Sequence, residues 1–202
     1  MRRIARSADG LVGRPGLGRS RRRSRHPLGW PGRPAAGAGR AAAPAAGVAR
    51  ELIRQGSAAS EEEIARRGEL RASRQEILRR PDAPQLWAVV DEGALRRPVG
   101  SRQVVREQLQ YLIEVADHPA VTLRIMPFSA GAHPAMGGPF TILRFAEPDL
   151  ADVVYIEQLT SGLCLEKPSE VDSYLEVMEQ LCLQAEPVTS TTKILQQILA
   201  DV

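Results

Sequence analysis

SRQVVREQLQYLIEVADHPAVTLRIM, residues Ser101 to Met126, changes its hydrophobic period partway along. Val104, Val105, Leu109, Leu112, Ile113 and Ala116 recur at the spacing of one helical face, while Arg102, Arg106, Glu107, Gln110 and Glu114 fall on the others. Ser101 is placed to cap that helix and His118-Pro119 to end it. Directly afterwards Val121, Leu123 and Ile125 alternate with Thr122 and Arg124, the period of a strand with one buried face. A helix followed at once by a strand is the nucleus of a mixed fold.

The same two periods extend in both directions. Upstream, VARELIRQ from Val48 reads as a short helix closed by Gly56. Ser60 opens a second helix running to Arg80, with Glu63 bonding back to it and Glu61, Glu62 and Glu63 at the positive end of the dipole. LWAVVDE, Leu86 to Glu92, is a β-branched and aromatic strand, tied to the Ser101 helix by a link holding Pro98 and Gly100. Downstream come the loop FSAGAHPAMGG and the strand Gly138 to Phe145, then the turn EPDLAD. Strands Val153 to Leu159 and Gly162 to Lys167 follow, joined as a hairpin through Thr160-Ser161. Pro168-Ser169 starts a helix with Val171, Tyr174, Leu175, Met178, Leu181, Cys182 and Ala185 on its apolar stripe, and Pro187 breaks it. A last helix from about Ser190 aligns Ile194, Leu195, Ile198, Leu199 and Val202. The expectation is one α+β domain over residues 47–202, with a sheet of about five strands flanked by helices.

Residues 1–46 differ in kind. They are rich in Gly, Pro, Arg and Ala and hold few apolar residues, so a disordered low-complexity tail is expected. Residues 1–50 carry twelve Arg and one acid, Asp9, for +11, so the remaining residues carry −8 to leave the overall +3. The arginines between Arg19 and Arg25 would attract any polyanion, which makes non-specific nucleic-acid binding one reading. An inert or artefactual head is the other. No apolar run reaches the roughly 18 residues of a membrane span, and no apolar segment follows Arg2 and Arg3 as in a secretory signal. A cytoplasmic protein without membrane attachment is expected.

No nucleophile elbow, phosphate loop, zinc-protease helix or dinucleotide fingerprint occurs. Cys164 and Cys182 lack close Cys or His neighbours, so both are expected to be small buried hydrophobes and no metal or cofactor is expected. His133 stands in a loop with Gly131, Pro134, Met136, Gly137 and Gly138, and is the foremost candidate for a functional side chain. His118 is explained by the negative end of its helix dipole. Asp91 and Glu92 end a strand and can converge with Arg96 and Arg97, although a solvated sheet edge explains them equally. Tyr155 and Glu157 share one face of their strand, opposite Val154 and Ile156. Trp87 defaults to the core. Asp91, Glu92, Arg96, Phe128, His133, Met136, Tyr155 and Glu157 make up the candidate contact set, with no catalytic residue among them. The competing enzyme reading groups Glu92, His133 and Glu157 in one cleft.

Taken together, Val90-Asp91-Glu92, LRRPVG at Leu95 to Gly100, REQL at Arg106 to Leu109 and PFSAGAHPA at Pro127 to Ala135 form a recognisable series. From about Gly47 to Val202 the chain resembles the uncharacterised C-terminal domain of actinobacterial Xre-type helix-turn-helix regulators, the WhiJ-like proteins. The resemblance implies an effector-sensing or partner-binding domain of a transcriptional regulator. It implies a small partner protein or a metabolite as the bound species, and no catalytic residues. In that family an N-terminal helical module reads DNA. Residues 1–46 show no helical apolar period, so a truncated or frame-shifted start is expected and DNA binding would need a module these residues do not hold. The oligomeric state is left open, a homodimer included.

Overall fold

The computed structural model describes residues 45–56, 60–75, 78, 80, 81, 83–145, 147, 149–158 and 161–202. Residues 1–44 of the expected head, Thr160 and much of the expected extension of the second helix to Arg80 lie outside the described residues, while Ala45 and Ala46, expected in the tail, belong to the first helix. The elements in order are α1 (Ala45–Gly56), α2 (Glu61–Gln75), β1 (Leu86–Asp91), α3 (Glu92–Arg96), α4 (Arg102–Ala116) and β2 (Val121–Met126). After them come β3 (Thr141–Leu143), β4 (Val153–Glu157), β5 (Gly162–Leu165), α5 (Pro168–Gln184) and α6 (Val188–Ala200). The class is α+β.

The five strands divide into two sheets. β1 and β2 pair in parallel, from Leu86 opposite Val121 to Asp91 opposite Met126. β3, β4 and β5 form an antiparallel sheet in that order, in which Thr141 and Cys164 both lie opposite Tyr155. Backbone chemistry at the free edge of β2 explains the division. The outward carbonyl of Leu123 accepts from the Thr191 hydroxyl at 2.7 Å, and that of Ile125 accepts from the Glu186 amide at 2.9 Å. With its acceptors taken by the start of α6 and the link before it, β2 has no edge to offer a third strand.

The parallel pair is covered on both faces, as parallel strands generally are. On one face Leu109 of α4, Val121, Leu123 and Ile125 of β2, and Leu195 and Ile198 of α6 form the main core. On the other, Met126 packs with Leu181 and Ala185 of α5, and with Val89, Ala130, Ala135 and Phe140. The alternation in VTLRIM thus marks two packed faces instead of one buried and one wet. Arg124 is accommodated on the second face because its guanidinium donates to the Cys182 carbonyl at 2.6 Å.

Local signals act as their chemistry dictates. The Ser101 hydroxyl accepts from the Val104 amide and caps α4. The Ser60 hydroxyl accepts from the Glu63 amide, but the Glu63 carboxylate turns to Arg66 and Arg67 at 2.8 and 2.6 Å instead of closing a capping box. Arg54 pairs with Glu51 and Glu61, clasping α1 to α2. The sequence reading missed α3, because five residues are too few for a period to register. The expected strands at Gly138–Phe145 and Val153–Leu159 are shorter, and α6 begins at Val188. The hairpin is present: β4 and β5 are antiparallel neighbours, and the Gln158 amide donates to the Ser161 carbonyl. No helix of the described residues is long and apolar enough to cross a membrane.

Candidate functional site

Because β1 and β2 are parallel, their carboxyl ends meet at one edge of the sheet, and the segment Pro127–Phe140 starts there. Asp91 is the last residue of β1 and the N-cap of α3; its carboxylate accepts from the Gly93 amide at 2.7 Å. Glu92, one residue on, accepts from the Phe128 amide at 3.0 Å and from Arg96 at 2.7 Å. Those two donors, the Phe128 amide first, hold the Glu92 carboxyl below the usual carboxylate range. Arg96 also reaches Asp201 at 2.9 Å, and both of its carboxylate partners raise the guanidinium pKa further. Three segments far apart in sequence are therefore joined, which nails the start of the loop to α3 and to the end of α6.

His133 fastens the loop a second time. Its Nε2 lies 3.5 Å from the Asp91 carboxylate, longer than a good hydrogen bond. The side chain is 14% exposed, and its buried Nδ1 has no hydrogen-bond partner among the described residues. Gly131, at φ 67°, ends a short 3-10 turn over Phe128–Ala130 in a backbone region that favours glycine. Between these fixings the loop lifts two large apolar side chains into solvent: Phe128 is 61% exposed and Met136 71%. The Phe128 ring lies over Gly93, where a β-carbon would come within 3.2 Å of it.

The far half of the same loop faces α5. Pro134, Ala135, Pro139 and Phe140 line a cleft of about 310 Å³ with Ser173, Tyr174 and Val177 of α5 and Ile156 of β4. Phe140 and Tyr174 meet edge to face, their ring centroids 5.0 Å apart.

Asp91, Glu92, Arg96, Phe128 and His133 are thus assembled at one sheet edge, with Met136 on the same loop. Tyr155 and Glu157 are not part of that assembly. They lie on the outer face of the three-stranded sheet beside Leu143, and Tyr155 is 37% exposed. The grouping of Glu92, His133 and Glu157 in one cleft is not formed: His133 meets Asp91, Glu92 is engaged by Arg96 and Phe128, and Glu157 contacts neither. Cys164 is a second correction, since it is exposed on that outer face, whereas Cys182 is buried and burial pushes its thiol pKa up. In β4 the side facing the core is fully taken by Val154, which leaves Tyr155 and its cross-strand neighbour Cys164 outward. His118 does more than meet a dipole, its Nδ1 accepting from the Ala120 amide at 3.2 Å in the turn into β2. Among the described residues, no cluster of three or more His, Cys, Asp or Glu is arranged to hold a metal ion. The Asp201 partner and the α5 cleft were missed, because nothing local to either segment marks a neighbour so distant in sequence.

The model of one family, a domain of unknown function designated DUF5753, matches residues 45–197. The chain belongs to that family. Both the clasped loop and the cleft lie wholly inside the DUF5753 match. No curated protein and no solved structure matches the chain.

Proposed function

We propose that this DUF5753 domain is the effector-sensing or partner-binding domain of a transcriptional regulator of the Xre, WhiJ-like type, acting in the cytoplasm, and that Phe128–Phe140 is its contact surface. The observation that carries the reading is the exposure of Phe128 and Met136 on a loop held at its base by Asp91, Glu92 and Arg96. Large apolar side chains offered to solvent from a fixed backbone add little backbone-ordering cost on binding and resemble the anchors of protein and ligand interfaces. Their position outside the carboxyl ends of parallel strands is where such sheets generally take ligands. The bound species is a small partner protein or a metabolite, and DNA reading belongs to a helix-turn-helix module.

The test uses the full chain, tagged, against extract of its source cells and against the products of genes adjoining its own. Capture of a defined protein or metabolite that the Phe128→Ser/Met136→Ser double variant no longer retains is the expected result. A double variant that folds and captures the same species as fully as the parent overturns the assignment.

A further inference from the structure

We propose that the cleft between the loop and α5 seats a basic segment of a partner protein, with an apolar or aromatic side chain in the cleft and Arg or Lys along α5. This rests on the partner-binding reading and adds the partner's chemistry. The cleft is walled by Pro134, Pro139, Phe140, Tyr174 and Val177, a lining that takes an apolar anchor. The edge-to-face Phe140–Tyr174 pair gives it a rigid aromatic wall, to which a flanking cation is also attracted.

Charge then decides the partner. α5 carries Glu170, Asp172, Glu176 and Glu179 and no basic residue. Glu170 stands one turn before Ser173 and Tyr174, and Glu176 one turn after Ser173, so both border the cleft residues on the helix surface. Glu170, Asp172 and Glu176 are exposed, and their carboxylates make no ion pair among the described residues. Asp172 and Glu176 are also like charges at i and i+4, an arrangement that weakens a helix. Glu170, in the first turn, meets the positive end of the helix dipole; Asp172 and Glu176 bring folding no such gain. Glu170 and Glu176 are about 9 Å apart along the axis at 1.5 Å per residue and stand on different flanks of Ser173. That separation, beside an open cleft, suits several residues of extended chain better than one small cation.

The test titrates the full chain with a short fluorescein-labelled peptide, a central Trp between arginines, and with its counterpart carrying glutamates for arginines. The arginine peptide is expected to bind at least about tenfold more tightly and to weaken as salt rises. Ser173→Trp, which fills the cleft without changing its charge, is expected to abolish binding. Glu170→Gln/Glu176→Lys is expected to weaken it by about tenfold with the fold intact by circular dichroism. Leu183→Ser, at an exposed position on α5 away from the cleft, serves as the matched control and is expected to bind like the parent. Equal binding of the two peptides, no binding at millimolar peptide, or parental binding by the Ser173→Trp chain overturns the proposal. The titration does not depend on Phe128 or Met136, so its failure leaves capture through those residues standing.

Discussion

Thr191 is the only polar residue in the buried core of the described chain, 1% exposed, and its hydroxyl completes the edge of β2. Thr191→Val keeps the shape and strands the Leu123 carbonyl, so we expect a loss of about 1–3 kcal/mol in chemical denaturation. Glu92 gives a prediction in pH. Its folded pKa lies below the unfolded value of about 4.3, so the ionised form favours the fold. That contribution is fully present above the unfolded pKa and is lost as pH falls through the folded one. Glu92→Gln should therefore destabilise the chain at neutral pH and flatten the acid limb of its stability profile below about pH 4. The thiols supply a third check: Cys164 should react with a thiol reagent in the native chain, and Cys182 only on unfolding. Ser101 and Ser60 were legible as caps because capping is settled within three or four residues, whereas Asp91 was not, since the helix it caps went unread. The exposure of Cys164 was not, because a strand's alternation fixes which residues share a face without saying which face is covered.

Among the elements, β2 and the helices packed on it carry the fold. Leu195 of α6 is fully buried against Leu109 and the inner face of β2. Leu195→Ala should cost about 2–5 kcal/mol by thermal or denaturant unfolding, and the same truncation at exposed Leu183 close to nothing. The helix α4 and the strand β2 could be read from their periods because each makes several turns or alternations. The 3-10 turn and α3 could not, being shorter than the window over which a period is seen, and β3 was read too long, as Gly138–Phe145 instead of Thr141–Leu143. The loop between β2 and β3 was correctly marked as a loop by its glycines and prolines, and its position at the sheet edge follows from the parallel pairing of β1 with β2.

For the whole molecule, charge is distributed unevenly: twelve arginines among the first fifty residues and a net −8 in the rest. Replacing the arginines from Arg19 to Arg25 with serine should remove salt-sensitive retention on a heparin column and leave the unfolding transition where it was. Composition and the two hydrophobic periods were enough to establish an α+β domain, its order of helices and strands apart from α3, its basic head and the loop around His133. These depend on properties that neighbouring residues share, so they are written locally. The split into two sheets, the pairing of His133 with Asp91 instead of Glu92 or Glu157, the Arg96–Asp201 tie and the cleft against α5 were decided only in three dimensions. Each joins segments tens of residues apart, and which partner a carboxylate or a strand edge finds depends on how the core packs them together.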